Sequence, residues 1–381
     1  MAIFHWLWTV GSYLVPFLFV LSLVVFVHEF GHFLIGRLCG IKVDAFSMGF
    51  GPELAHYVDR SGTRWRLAAI PLGGYVRFHG DANGASQPDF DATSKMPETE
   101  RAVSFFAQKV WKRAAVVAAG PIANFILAIV IFTALFYVDG RSVLTPRIES
   151  VVAGGRAAAA GFQKGDLVVS IDGQPIDSFA EMQRIVSASG DTPLRFMVQR
   201  DGKPVAIDAT PERKDTRTPF GVSRGGVLGV AAGGAPEDWR TVSYSLPKAL
   251  VEATGETWYV IERTGSYLGG LVIGRESPEQ LSGPIRIAEV SGEVAKAGIW
   301  PLFNLAAILS ISIGLLNLLP VPLLDGGHLL YYACEAARGR ALTQRAQEFG
   351  FRIGLAFVAA LMLVATYNDL VRITRQWLNI G

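Results

Sequence analysis

Three ionisable residues fall within five positions of an otherwise apolar run, Leu21-Ser-Leu-Val-Val-Phe-Val-His28-Glu29-Phe30-Gly31-His32-Phe-Leu-Ile. A helix carries residues i and i+4 on one face, so both imidazoles project one turn apart, as two ligands of a tetrahedral metal require. Glu29 lies one residue from His28 and three from His32, placed to take a proton from an attacking water without serving as a ligand. Such side chains are costly in hydrocarbon, and their presence in an apolar span points to function. The blander reading is a polar cluster satisfied between helices. It leaves unexplained why a carboxylate stands between two imidazoles, in a chain with only six histidines.

Two histidines are one ligand short of the three that a catalytic zinc site normally keeps. Another segment must supply the third. Asn317-Leu-Leu-Pro-Val-Pro-Leu-Leu-Asp325-Gly-Gly-His328 breaks an apolar helix with two prolines, and irregular backbone at membrane depth is tolerated only against protein or water. In a soluble protein Asp-Gly-Gly would read as an exposed turn. Here Asp325 is the expected ligand, with His328 the competing candidate. His5, His56 and His79 fall outside the apolar spans and read as surface or interface residues. The expected cofactor is one Zn2+ per chain.

The elements that must position these residues are membrane helices. Half of the 381 residues are hydrophobic and 18% are charged, too apolar for an ordinary soluble domain. Roughly 20 apolar residues cross the hydrocarbon core as a helix, and four stretches approach that length, at about 12–36, 113–138, 300–322 and 350–371. The first lacks the basic flank and the small-residue cleavage site of a signal peptide, so it reads as a retained helix. Arg37, Lys42, Arg60, Arg64, Arg66, Arg77, Lys109, Lys112 and Arg113 load the first loop, which is therefore expected on the cytoplasmic side. The N-terminus, residues 140–299 and the C-terminus are then outside, although Arg372 and Arg375 run against the rule at the last span. A net charge of +2 with no basic block among stacked aromatics argues against nucleic acid. Cys39 and Cys334 form no CxxC pair, so neither a disulfide framework nor a cysteine zinc site is implied.

Four regions follow: residues 1–138 with the first two spans, a β-rich domain at 143–232, amphipathic surface helices at 235–299, and residues 300–381 with the last two spans. The β-rich assignment rests on alternating runs closed by Asp-Gly turns, as in Gly165-Asp-Leu-Val-Val-Ser-Ile-Asp-Gly and Leu194-Arg-Phe-Met-Val-Gln-Arg-Asp-Gly. Leu246, Leu250, Ala253, Ile261, Leu268 and Leu271 recur at roughly helical spacing, interrupted at Gly269-Gly270, and Trp239, Trp258 and Tyr259 suit a membrane interface. These helices lie on the outer membrane surface or pack on the β-rich domain. In the first loop, Arg64 to Phe78 reads as two short strands about Gly73-Gly74, a hairpin that is either structural or adds a strand to an extended substrate.

Ala159-Ala-Gly-Phe-Gln-Lys-Gly-Asp-Leu-Val-Val-Ser-Ile-Asp-Gly resembles the core of bacterial PDZ domains, with Phe179 to Ala188 as the helix that follows. Gly226-Val-Leu-Gly-Val230 is then either a turn that caps a peptide's C-terminal carboxylate or an ordinary closing strand. The embedded HEFGH, the single PDZ-like domain and NLLPVPLLDGG together resemble the site-2 protease family, most closely its bacterial regulator-of-sigma-E proteases. The resemblance covers nearly the whole chain. It implies an intramembrane zinc metalloprotease of the bacterial inner membrane, with zinc on His28, His32 and Asp325 and with Glu29 activating water. It also implies substrate contacts at Asn317, at Asn124 of the matching Gly120-Pro-Ile-Ala-Asn124 motif, and at Gly73, Gly74 and Tyr75 of a membrane-associated β-hairpin. The implied partners are single-span membrane proteins, such as an anti-sigma factor already cut once, and the lipid bilayer. Two rivals remain, a metal transporter and a PDZ-bearing membrane scaffold. The transporter needs polar residues strung across the bilayer, and the second and fourth spans offer few beyond Asn124, Thr133, Thr366, Tyr367 and Asn368.

Overall fold

A computed structural model of the chain describes residues 2–81, 96–218, 221–274 and 283–377. In chain order its helices are α1 (Ala2–Leu38), α2 (Glu98–Arg101), α3 (Val110–Val138), α4 (Arg156–Ala160), α5 (Phe179–Ala188), α6 (Leu246–Val272), α7 (Pro284–Lys296), α8 (Ile299–Asn317), α9 (Asp325–Arg338) and α10 (Gln344–Trp377). Among the described residues, four helices are long and apolar enough to cross a membrane, over Val10–Leu38, Val110–Val138, Ile299–Asn317 and Gln344–Thr374. The third stops at Asn317, five residues short of the expected 322, because Pro320 and Pro322 cannot continue the helical ladder. On α1, Val20 and Val24 are buried while Val15, Phe19, Phe26 and Leu34 are exposed. Water would penalise that outward face; hydrocarbon does not.

The chain divides into two units. The first comprises Met1–Thr133, Leu250–Gly265 and Ser277–Gly381. Its helices meet through small residues, which let backbones approach without a hydrophobic driving force in lipid. A Cβ on Gly31 would lie 2.8 Å from the Cβ of Ala123, and one on Gly314 would lie 3.2 Å from the Cβ of Asn124. Helix α7 buries Ser291 and Gly292, with Gly292 against Tyr13 of α1. Its N-terminal amides at Gly283 and Arg286 are accepted at 3.2 and 3.0 Å by the carboxylate of Asp369 on α10, which caps it in place of a local side chain. This helix is therefore docked against α1 and α10. Helix α6 exposes Leu250, Val251, Trp258 and Tyr259 and buries Ala253 and Thr257. It runs unbroken through Gly269-Gly270, contrary to the predicted interruption, and ends at Val272, with Ile273 as its cap before Gly274 at φ +72°.

Strands β1 (Val43–Val58) and β2 (Arg64–Phe78) follow α1. Their turn is built on Asp59, whose Oδ1 accepts the amides of Ser61 and Thr63 at 2.8 and 3.0 Å. The expected hairpin about Gly73-Gly74 is not formed in that way. Residues Ala45, Phe46, Ser47 and Met48 pair with Arg77, Val76, Tyr75 and Gly74 on one side and with Arg64, Trp65, Arg66 and Leu67 on the other. Both halves of β2 thus flank the first half of β1, and the bend between them needs Gly73, at φ +156°, where a Cβ would meet the Phe50 ring at 2.5 Å. Phe46, Val76 and Phe78 pack with Phe33, Val116, Phe105 and Tyr332 into one core. The far end exposes Leu54, Tyr57, Leu67, Ile70 and Leu72, an apolar surface suited to lipid.

The second unit, Ala134–Ala249 with Ser266–Glu276, is β-rich. Strands β3 (Arg141–Leu144), β4 (Ile148–Val151), β5 (Leu167–Ile171), β6 (Gln174–Pro175), β7 (Leu194–Arg200), β8 (Lys203–Ala209), β9 (Glu212–Thr218), β10 (Gly221–Val227), β11 (Val230–Ala232) and β12 (Trp239–Val242) form a four-stranded sheet ordered β6-β5-β7-β8 and three two-stranded pairs. The Asp172-Gly173 and Asp201-Gly202 turns carry positive φ at both residues, as tight hairpins prefer. Ile148, Phe162, Val168, Met182, Val186, Phe196 and Val198 fill the core under α5. Asp166, wholly buried, accepts from Arg200 Nε at 2.7 Å and from its Nη2 at 2.8 Å. Burial pushes that carboxyl up, but the guanidinium pair and the Gln163 amide outweigh it and hold the group below the usual range. Within Gly226–Val230, Gly226 and Val227 end β10, Leu228 and Gly229 link the strands with Gly229 at φ +81°, and Val230 opens β11, which pairs with β4.

Candidate active site

His28 and His32 lie on one face of α1, 8% and 9% exposed, with Nε2 atoms 3.2 Å apart. Asp325 reaches them from the N-terminus of α9. Its Oδ2 is 3.2 Å from His28 Nε2 and 3.5 Å from His32 Nε2. A tetrahedral ion bound at zinc–nitrogen and zinc–oxygen distances of about 2.0–2.1 Å has ligand–ligand edges of about 3.3–3.4 Å. The three observed edges match that triangle. The chemistry of the donors fits as well: His32 Nδ1 lies 2.9 Å from the Val116 carbonyl and so carries the ring hydrogen, leaving the Nε2 lone pair facing Asp325. Oδ2 of Asp325 is buried and has no hydrogen-bond partner. The lone pairs of His32 Nε2 and Asp325 Oδ2, facing each other with no hydrogen between them, make the environment a cation satisfies.

The close-set glycines explain how these groups meet. A Cβ on Gly326 would collide with the carbonyls of Leu318 and Leu319, and one on Gly327 would lie 2.6 Å from Pro322 Cα, so the Asp-Gly-Gly sequence lets α9 begin directly against the broken end of α8. The loop between them holds Leu323 at φ +113°, a strained backbone for a leucine. On α3, a Cβ on Gly120 would strike His32 Nε2 and lie 2.9 Å from His28 Cε1. Only glycine leaves room there for both rings.

Glu29 stands beside the histidines in a cavity of about 610 Å³ lined by His28, His32, Gly73, Gly74, Tyr75, Asn317, Asp325 and His328 among others. A Cβ on Gly74 would lie 3.2 Å from Glu29 Cγ. The Gly74–Phe78 half of β2 is therefore the segment laid against the acid. Tyr75 lines this cavity; its hydroxyl accepts from Arg66 at 2.7 Å and its ring stacks on Phe50. Arg113 pairs with Glu335 at 2.6 Å and lies over the Tyr332 ring at the cavity wall, and burial pushes the Tyr332 phenol up, so it stays protonated.

The structure thus brings His28, His32, Glu29 and Asp325 together and puts Asn317, Gly73, Gly74 and Tyr75 on the same cavity. His328 lines it too but stands outside the three-residue donor cluster, the one such cluster among the described residues. Asn124 does not line this cavity. It is fully buried, its amide 3.3 Å from His28 Nδ1. The sequence reading also missed the parts played by the Val116 carbonyl and the absent Cβ of Gly120. Only the last left a trace, as the glycine four residues before Asn124.

Comparison with known proteins is consistent with this geometry. The model of peptidase family M50 matches residues 16–361. A protein of Agrobacterium fabrum classed by name as a zinc metalloprotease is 49% identical over 360 residues, 94% of this chain and 96% of its own. The metalloprotease MmpA of Caulobacter vibrioides is 42% identical over 384 residues, covering 94% and 95%. The regulator of sigma-E protease RseP of Salmonella typhimurium is 31% identical over 457 residues, covering 94% and 98%.

Proposed function

We infer the reaction from one premise: the chain belongs to peptidase family M50, the site-2 proteases, and is an intramembrane zinc metalloprotease. The observation that carries the assignment of roles is the donor triangle of His28, His32 and Asp325 with Glu29 in the same cavity. His28, His32 and Asp325 hold the zinc. Bound zinc supplies a Lewis acid for the scissile carbonyl and brings the pKa of water toward about 7.

Glu29 acts as general base. It takes a proton as the water oxygen bonds to the carbonyl carbon, and returns it to the amide nitrogen as the C–N bond breaks, so no covalent enzyme intermediate forms. A helix in lipid hides its carbonyls in its own hydrogen bonds, so the substrate must be extended before attack. The Gly73–Val76 edge of β2 offers a strand for it to lie along, and Asn317 a side chain to hold its backbone.

The substrates are single-span membrane proteins of the bacterial inner membrane, and the sigma-factor regulation in the name of the Salmonella relative favours an anti-sigma factor. The β-rich unit, read as a periplasmic PDZ-like domain with its carboxylate-binding turn at Gly226–Val230, refuses substrates that still carry a bulky outer domain. Deleting 143–232 should then let untrimmed substrates be cut; continued refusal sinks the filter while leaving the protease intact.

The central test uses the purified chain in detergent with a single-span reporter. Wild type should cleave it and hold about one zinc, and Glu29→Gln should keep the metal and lose cleavage by at least about 10²-fold. Cleavage at the wild-type rate by that variant would overturn the assignment of the base.

A further inference from the structure

The carboxamide of Asn124 sits where a substrate cannot reach it. Asn124 is fully buried on α3, its side-chain amide 3.3 Å from His28 Nδ1, and its Oδ1 is buried without a partner. Its backbone is held as well: Ser310 Oγ on α8 donates to the Asn124 carbonyl at 2.8 Å, and Gly314 one turn further leaves room for the Asn124 Cβ at 3.2 Å.

Val116, Gly120 and Asn124 are spaced by four residues and form one stripe of α3. Each member of the stripe meets the metal face of α1. Val116 offers its carbonyl to His32 Nδ1 at 2.9 Å, Gly120 leaves the space the two rings occupy, and Asn124 lies against His28 Nδ1. The first contact fixes the His32 tautomer by giving Nδ1–H an acceptor. His28 has the same need, because its Nε2 is the atom that faces Asp325 at 3.2 Å and must keep its lone pair. Oxygen and nitrogen of a carboxamide exchange places by a half-turn, and the pairing chemistry decides between them. With Oδ1 turned to His28, the ring hydrogen gains its acceptor and the buried oxygen gains its donor.

We propose that Asn124 is a positioning residue that accepts the Nδ1–H of His28, fixing the tautomer and ring plane in which Nε2 holds zinc. The proposal rests on the assignment of His28 as a ligand. It gives α3 both orienting acceptors, one from backbone and one from a side chain, and makes α8, through Ser310 and Gly314, a brace for the second. Asn124 touches neither substrate nor zinc.

The test is metal affinity, measured on the purified full chain by chelator competition, with the visible spectrum of the cobalt-loaded protein as a second readout. Asn124→Leu and Asn124→Ala remove the acceptor; Asn124→Asp keeps one. Loss of an orienting partner of this kind typically weakens binding by about 10–100-fold. The Leu and Ala variants should show that loss and an altered cobalt spectrum, and Asp should restore both to near wild type. Should Leu fail to fold, the Ala and Asp pair makes the same comparison. Wild-type affinity in the Ala variant, or an Asp variant as impaired as Ala, would overturn the proposal, the latter by reducing Asn124 to packing. His28→Ala separates this result from the ligand assignment beneath it: if that variant keeps the metal, the ligand reading itself fails, whereas if it loses the metal while Asn124→Ala retains it, only the positioning role falls.

Discussion

The ring of His32 on α1 is held by the carbonyl of Val116 on α3, 2.9 Å from Nδ1 and 84 residues distant in the chain. Because the acceptor is backbone, no side-chain substitution at Val116 can remove it, and the orientation of His32 depends on the close approach of the two helices. That approach is permitted by Gly31 against Ala119 and Ala123, and by Gly120 against the rings themselves.

Gly120→Ala should therefore act on the metal. The added methyl would overlap His32 Nε2, and overpacking of this kind costs about 1–3 kcal/mol. If the cost falls on the ligand geometry, zinc affinity drops by about tenfold to a hundredfold, with the helices still assembled. Chelator competition on the variant checks it, and unchanged affinity would show that the rings have room to move aside.

Asp325 and His328 make opposite predictions. Asp325→Asn keeps the shape of the side chain but loses a buried anionic donor 3.2 Å from His28 Nε2, so the purified protein should carry well under one zinc. His328→Gln should retain the metal, since that ring lines the cavity without joining the donor cluster. Metal analysis of the two proteins side by side decides between them, and the reverse outcome would reassign the third ligand.

Gly74→Val tests the strand against the acid. A Cβ there would lie 2.8 Å from the Ser47 carbonyl, 3.1 Å from Val25 and 3.2 Å from Glu29 Cγ, so the larger residue must displace the edge of β2 or the base. Misplacing a reacting group by about 1 Å can cost about 10²-fold in rate. Cleavage should fall on that scale while zinc content stays near one per chain. A rate equal to wild type would mean that this edge takes no part.

In the β-rich unit, Asp166 sets a pH dependence. Its folded carboxyl is held below the ordinary value by Arg200, so its contribution is complete above the unfolded value of about 3.9 and is lost as pH falls through the folded one. The stability difference between wild type and Asp166→Asn should accordingly be constant near neutrality and shrink as the medium is acidified below about pH 4. Limited proteolysis of the unit across that range reads it, and a difference independent of pH would assign the effect to packing alone.

Much of this protein was legible from local chemistry. HEFGH declared itself because two imidazoles and a carboxylate inside an apolar helix are costly to bury unless they hold something between them, and the four spans because hydrocarbon demands long apolar helices. Helix α5 falls at Phe179–Ala188 as read, since its apolar spacing and Ser178 cap are properties of neighbouring residues. What remained hidden depended on contacts between distant segments. Whether Asp325 or His328 meets the histidines is settled by how closely α9 starts against α8, and that depends on Gly326 and Gly327 fitting against carbonyls of the preceding helix. The path of β2 on both sides of β1 was illegible because strand pairing is a relation between segments, while the glycine pair at 73–74 marks only a place where the chain can bend. Asn124 is the clearest case. An asparagine in an apolar span announces by itself that it has a partner, but that His28 lies beside it depends on how α3 packs its Val116, Gly120 and Asn124 stripe against α1.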